Sequence, residues 1–452
     1  MSKNSTLNLT DGPILQTLSK LALPIMASSF LGTAYNITDM AWIGMLGADA
    51  VAGVGVGGMY VWLSQGLVSL ARMGGQVNVA QCIGRNDREQ ARDHASASLQ
   101  LTILFGILFA AVCLLFLDPM VAFFNLNNAR TITDAKDYMT ITCGLIIFSF
   151  LNLTLTGIYT AQGDSKTPFL ANLAGLVMNM VLDPLLILGI GFFPALKVTG
   201  AAVATVAAQI VVFLVMALSV FCRKNSSNVL RKIRLLHPVS GHFYHAIFRI
   251  GVPTALQGSL YCGISMILTR MVSSFGSGAV AVQRVGGQIE SLSWNTADGF
   301  GAALNAFVGQ NFGAKKYDRI HKGYAISFRL LAAWGLLISA AFVFLPRPIS
   351  ELFFHEAEVI EISVEYLRII GLSEAFMSVE LMTVGALSGL GETKICSILS
   401  IIFTGARIPL AILLTSLGMG LDGIWWALTL TSVAKGIIFY FTFQHISRKL
   451  RA

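Results

Sequence analysis

Long apolar segments recur along the chain, and short polar or glycine-rich stretches separate them. A helix that crosses a membrane needs roughly 20 mainly apolar residues. The segments of that kind lie near 16–38, 50–82, 93–117, 136–160, 167–190, 199–222, 246–275, 280–312, 324–345, 360–388, 396–417 and 422–445. The pattern therefore predicts an all-α membrane protein with twelve transmembrane helices.

One basic stretch interrupts this pattern after the sixth segment. It reads "CRKNSSNVLRKIRLLHP" and begins at Cys222. We interpret it as a cytoplasmic linker over 223–245. It would join an amino-terminal six-helix bundle, 1–222, to a carboxy-terminal six-helix bundle, 246–452.

The two halves of the chain resemble each other. "KLALP" at 20–24 aligns with "RIGVP" at 249–253, which sets an offset of 229. At the same offset, "AVA" at 50–52 meets "AVA" at 279–281. Because six spans per half is an even number, both bundles share one orientation in the membrane, and we expect a pseudo-twofold axis to relate them.

Composition and charge support a membrane protein. Only 12% of the residues are charged and 55% are hydrophobic, whereas soluble proteins have about a quarter charged. The net charge of +8 lies in short loops after the even-numbered segments, so it indicates topology and not nucleic-acid binding. This distribution predicts a multi-pass protein of the cell membrane with both termini cytoplasmic.

Two carboxylates stand inside apolar segments. Asp183 lies in "NMVLDPLL" with Asn179 one helical turn earlier and Pro184 beside it, and Asp39 lies in the first segment one turn after Tyr35. A charge at mid-membrane costs at least about 2.5–3.5 kcal/mol, so such residues face a cavity or a partner. Carboxylate and carbonyl oxygens suit small hard cations or protons. We therefore predict a cation-coupling site in the amino-terminal bundle.

Several stretches carry a resemblance to a known family. The "LALP" and "GVP" openings, "GMLGADAVAGVGVGG", "TAQGDSKTPF", "AFVGQNFGAKKYDR" and "LSGLGETK" resemble the MATE (multidrug and toxic compound extrusion) exporters over essentially the whole chain. "GLSEAFMSVELMTVGALSGLGETK" is most similar to the DinF-related, MepA-like branch. The resemblance implies the MATE fold and a secondary active antiporter for multidrug efflux. Amphipathic, cationic organic compounds would leave in exchange for Na+ or H+, with no cofactor and as a monomer.

The resemblance also implies the residues of the cation site. The functional Asp of the first span corresponds to Asp39, preceded by Tyr35, and the Asn and Asp of the fifth span correspond to Asn179 and Asp183. A Thr of the sixth span corresponds to Thr205, with Thr199 as an alternative. The expected Na+ ligands are Asp39, Asn179, Asp183 and Thr205.

The carboxy-terminal half differs from the amino-terminal half. Leu268 stands at the position that corresponds to Asp39, although acids and bases occur elsewhere in these spans. Internal ion pairing is one interpretation of these charges, and contact with cationic substrates is the other. The residues expected to line a substrate cavity are Glu290, Glu374, Asn36, Asn152 and Met178.

Two other functions compete with antiport. A flippase for lipid-linked precursors of the same superfamily would need a strongly basic cavity, against which Asp39 and Asp183 argue. An intramembrane enzyme would need a catalytic motif such as H-E-x-x-H or G-x-S-x-G, and neither occurs. No G-x4-G-K-[ST] motif for ATP binding occurs either. The sequence predicts a transporter that is not an enzyme.

Overall fold

A computed structural model describes residues 7–124, 126, 128–190, 194–222 and 228–450. This part of the chain is helical and contains no strand. The helices are α1 Ile14–Gly44, α2 Ala48–Gly84, α3 Arg88–Leu115, α4 Leu117–Ala122, α5 Ala129–Gly144, α6 Ile147–Ala161, α7 Lys166–Leu188, α8 Lys197–Cys222, α9 Gly241–Ser273, α10 Ser277–Gly313, α11 Tyr317–Phe344, α12 Pro346–Glu351, α13 Ala357–Gly371, α14 Glu374–Leu390, α15 Thr393–Gly405, α16 Arg407–Leu414 and α17 Gly420–Lys449.

The long helices account for the twelve predicted spans. Eight helical stretches of the described chain are long and apolar enough to cross a membrane. Two bent pairs, α5 with α6 at 45° and α13 with α14 at 49°, add one span each. The 37-residue α10 is a further span whose polar residues lower its hydropathy. The stretch Thr393–Lys449 divides into two at Gly418, where φ is 93°.

The chain forms two compact units. One consists mainly of Leu23–Ala255, and the other combines Leu9–Ala22 with Leu256–Ala452. The divisions therefore fall inside α1 and α9. The linker residues from Asn228 onward belong to the first unit, while 223–227 of the predicted linker lie outside the described residues.

In the first unit, small residues bring α7 and α8 close together. A Cβ on Gly175 of α7 would lie 2.4 Å from Val212 Cγ2 and 3.2 Å from the carbonyl oxygen of Ala208 on α8. Ala201 and Ala204 of α8 are also fully buried. Close backbone approach through small residues is how membrane helices pack without a hydrophobic driving force. It holds α7 directly beside α8.

An apolar cluster joins five helices of the first unit just beyond this polar face. It consists of Ile43 of α1, Ala50 and Val54 of α2, Tyr138 of α5, Ile187 of α7, and Val198, Ala201 and Ala202 of α8. Ile43 and Ile187 follow Asp39 and Asp183 by one helical turn. The cluster therefore fixes the two acidic positions relative to each other.

In the second unit, α10 and α14 pack backbone to backbone. A Cβ on Gly385 of α14 would lie 2.2 Å from the carbonyl oxygen of Gly301 on α10. Only glycine fits at this crossing without moving a helix.

The Gly385→Ala substitution is expected to destabilise the protein by about 1–3 kcal/mol, because the added methyl group overpacks a rigid backbone contact. Thermal unfolding in detergent measures the effect. Gly263→Ala is the matched control, since a Cβ on Gly263 meets nothing within 4 Å. Equal unfolding temperatures for the two variants would show that the crossing is not tight.

Candidate cation site and cavity

Asn179 and Asp183 lie on the same face of α7. Asn179 donates from Nδ2 to Oδ1 of Asp183 at 3.1 Å, and both side chains have no solvent exposure. Pro184 lies inside α7, which continues to Leu188. The predicted pairing one helical turn apart is thus present.

Asp39 of α1 approaches this pair from the neighbouring helix. Its side chain is buried, and it is close enough to Asp183 for the two charges to interact. Asp39 borders a cavity of about 550 Å³ that lies entirely within the first unit. Asp39 therefore lines the cavity, whereas Asn179 and Asp183 are not among its lining residues.

Hydroxyl groups of three helices face the acidic pair. These hydroxyls belong to Tyr35 of α1, Tyr138 of α5 and Thr205 of α8. Tyr35, Tyr138 and Thr205 all line the cavity. The candidate site thus combines residues of four helices, α1, α5, α7 and α8.

Several buried oxygen atoms in this region have no hydrogen-bond partner among the residues that the structure describes. They include one atom of each residue expected at the cation site: Tyr35 Oη, Asp39 Oδ1, Asn179 Oδ1, Asp183 Oδ2 and Thr205 Oγ1. A buried polar atom without a protein partner is costly unless a water molecule, a proton or a cation satisfies it. Oxygen donors with two carboxylates fit a hard monovalent cation or protons.

The other candidate residues of the first unit have different positions. Asn36 lines the cavity. Asn152 does not, but its Nδ2 donates to the carbonyl oxygen and to Oε1 of Gln209, each at 2.9 Å, and Gln209 lines the cavity. Met178 is 36% exposed and is not among the lining residues. Thr199 is not among them either.

Sequence reasoning missed several lining residues. Asn172 precedes Asn179 by seven positions on α7, and Gln209 follows Thr205 by four on α8, so helical spacing could have identified both. Tyr138 has no such helical spacing from any predicted site residue. Its role depends on the packing of α5 beside α2 and α8.

A second cavity, of about 510 Å³, lies within the second unit. Glu290 of α10 and Glu374 of α14 both line it. Tyr366 donates a hydrogen bond to Oε1 of Glu290, whereas Oε2 of Glu374 is buried without a partner. Neither carboxylate forms a salt bridge within the described chain.

Internal ion pairing occurs beside this second cavity. Lys435 of α17 donates to Oε1 of Glu380 on α14 at 2.8 Å, and both side chains are buried. Arg407 donates to the hydroxyls of Thr431 and Ser432, each at 3.1 Å. The pairing interpretation is therefore confirmed for Glu380 and Lys435.

A family model described as MatE matches residues 24–185 and 253–413. The chain belongs to the MATE family. The two matches begin 229 positions apart and end 228 apart, which confirms the internal repeat.

Known MATE proteins match nearly the whole chain. The probable multidrug resistance protein NorM of Thermotoga maritima is 29% identical over 422 residues, which cover 91% of this chain and 88% of NorM. The multidrug export protein MepA of Staphylococcus aureus is 22% identical over 433 residues, which cover 95% and 94%. The solved structure of a MOP superfamily transporter from Pyrococcus furiosus superposes with a TM-score of 0.90 at 22% identity and covers 100% of both chains.

These similarities establish the fold and the general class. The chain is an all-α, multi-pass membrane protein with the twelve-helix MATE fold, as predicted. It is a transporter and not an enzyme, because the family to which it belongs consists of transporters.

Proposed function

We propose that this MATE transporter is a secondary active antiporter. It exports amphipathic, cationic organic compounds from the cell in exchange for Na+ or H+. The observation that carries the proposal is a set of five buried oxygens that have no hydrogen-bond partner among the described residues. They belong to Tyr35, Asp39, Asn179, Asp183 and Thr205, and the first, second and last of these residues line one cavity.

The ion gradient supplies the driving force for export, and the candidate cation site couples the protein to that gradient. A cation that enters between Asp39 and Asp183 reduces the repulsion between the two carboxylates. Each elementary charge that crosses a potential of 100 mV contributes about 2.3 kcal/mol. The cation drives transport only if it binds two conformations of the protein with unequal affinity. A site whose oxygens come from four different helices meets this requirement, because a small shift of one helix changes its geometry.

The lining of the first cavity favours cationic substrates. It combines the Asp39 carboxylate with the aromatic rings of Tyr35, Trp62 and Tyr138, which attract cations through their faces. None of the described lining residues is Lys or Arg, so the cavity does not suit the anionic headgroup that a flippase would carry. NorM and MepA, which are named for multidrug resistance and export, support the export of small molecules.

Glu290 and Glu374 extend the proposal to the second cavity. Their carboxylates lie near Trp294 and Tyr261 in its lining, a combination that attracts lipophilic cations.

We expect the protein to act as a monomer, without a cofactor and with both termini cytoplasmic.

Substrate flux in everted membrane vesicles tests the coupling. Uptake of a fluorescent lipophilic cation such as ethidium is expected to require an ion gradient, and imposing Na+ and pH gradients separately identifies the ion. Uptake that responds to neither gradient would contradict antiport. Scrambling of labelled lipids without cation transport would instead support a flippase.

A further inference from the structure

The linker is docked against α3. Gln100 donates from Nε2 to the carbonyl oxygens of Arg234 at 2.7 Å and His237 at 2.9 Å. The amide of Arg234 donates to Ser96 Oγ at 2.9 Å. The amide of Val229 donates to Gln162 Oε1 at 2.9 Å. The described part of the linker is therefore an ordered loop with a fixed outer surface.

That surface combines apolar and basic side chains. Leu236 is 93% exposed and Leu235 is 44% exposed. Arg231, Lys232 and Arg234 are exposed beside them, and none forms a salt bridge within the part of the chain that the structure describes. We call these five residues the linker face.

The position of the linker face along α3 matches the edge of the apolar belt. Gln100, which holds the loop, precedes Leu104 by one helical turn, a rise of about 6 Å. Leu104 is 56% exposed and is the first large exposed apolar side chain of α3, with Ile107 and Leu108 following. The loop before α3 contains Arg85, so the linker face lies on the positively charged side of the membrane.

We propose that the linker face is a docking surface for anionic lipid headgroups. Leu235 and Leu236 enter the boundary between headgroups and acyl chains, and Arg231, Lys232 and Arg234 pair with lipid phosphates. Exposed leucines beside unpaired basic residues, at the level where headgroups lie, complement an anionic lipid surface in both polarity and charge. This role is independent of the ion that drives transport.

Hydrogen–deuterium exchange of the full chain in lipid nanodiscs tests the proposal. The peptide that contains Leu235 and Leu236 is compared in phosphatidylglycerol and in phosphatidylcholine. Exchange is expected to be at least about tenfold slower in phosphatidylglycerol, because each basic residue near an anionic surface strengthens binding about fivefold. Equal exchange in the two lipids would overturn the proposal without any variant.

Two variants separate the contribution of the basic side chains to lipid binding from that of the two leucines. Arg231→Gln/Lys232→Gln/Arg234→Gln is expected to abolish the difference between the lipids, while Leu235→Ser/Leu236→Ser is expected to speed exchange in both. Lys394→Gln, an exposed basic residue of the other unit, is the control and is expected to behave as wild type. Peptides from α7 and α8 report whether each variant remains folded. A lipid difference that persists in the folded triple variant would refute the pairing with headgroups.

Discussion

Replacing Asp183 with asparagine is expected to lower ion-driven efflux about tenfold to a hundredfold. Interactions with a charged group contribute about 1.5–3 kcal/mol, and 1.4 kcal/mol corresponds to a factor of ten. An asparagine keeps an oxygen that can accept the hydrogen bond from Asn179 Nδ2, so α7 retains its local structure. The variant therefore removes the charge and little else. Initial rates of substrate efflux from proteoliposomes measure the effect.

Asp118→Asn is the matched control for this substitution. The Asp118 side chain is 81% exposed and pairs with Lys136 at 2.6 Å. Exposed ion pairs of this kind contribute little, so removing the Asp118 charge is expected to leave efflux unchanged. Equal efflux from wild type and Asp183→Asn, at equal amounts of folded protein, would refute the assigned role of Asp183.

Asp39→Asn extends the test to the pair. If the two carboxylates hold one cation together, each single variant should remove most of the coupled transport, and the double variant should be little worse. Such non-additivity is typical of residues that interact directly. Strictly additive losses would instead indicate two separate sites.

The twelve spans could be predicted because hydrophobic length is a local property of the sequence. The bend between α5 and α6 and the bend between α13 and α14 could not, because each lies within one apolar run. The span over 280–312 was predicted as well, although α10 contains polar residues that line a cavity. Length and polarity say where a helix lies, whereas packing decides where it bends.

The candidate cation site was predictable from the sequence only where one helix carries two of its residues. Asn179 and Asp183 are four residues apart, so their contact follows from helix geometry. Tyr138 was not predictable, since it reaches the site only through the packing of α5 against α2 and α8. Met178 shows the converse. It neighbours Asn179 in sequence, but the helix turns its side chain away from the cavity lining.

The buried pair in the second unit behaves differently from the acidic pair in the first. Asp39 and Asp183 each have an oxygen without a hydrogen-bond partner among the described residues, and Asp39 lines a cavity. Glu380 and Lys435, in contrast, pair with each other at 2.8 Å. A site that exchanges a cation needs the first arrangement, and a site that stabilises the fold needs the second. The distinction assigns Glu380 and Lys435 a structural role, although both line the second cavity.

Replacing Lys435 with methionine is accordingly expected to destabilise the protein by about 3–5 kcal/mol, because the Glu380 carboxylate is left buried without its partner. Adding Glu380→Gln removes that charge and should restore more than half of the loss. Lys136→Met is the control, since Lys136 pairs with the exposed Asp118 and such surface pairs contribute about 0–1 kcal/mol. Thermal unfolding in detergent compares the variants. If Lys435→Met unfolds at the same temperature as Lys136→Met, the buried pair does not stabilise the second unit, and Lys435 becomes a candidate for a direct role at the cavity instead.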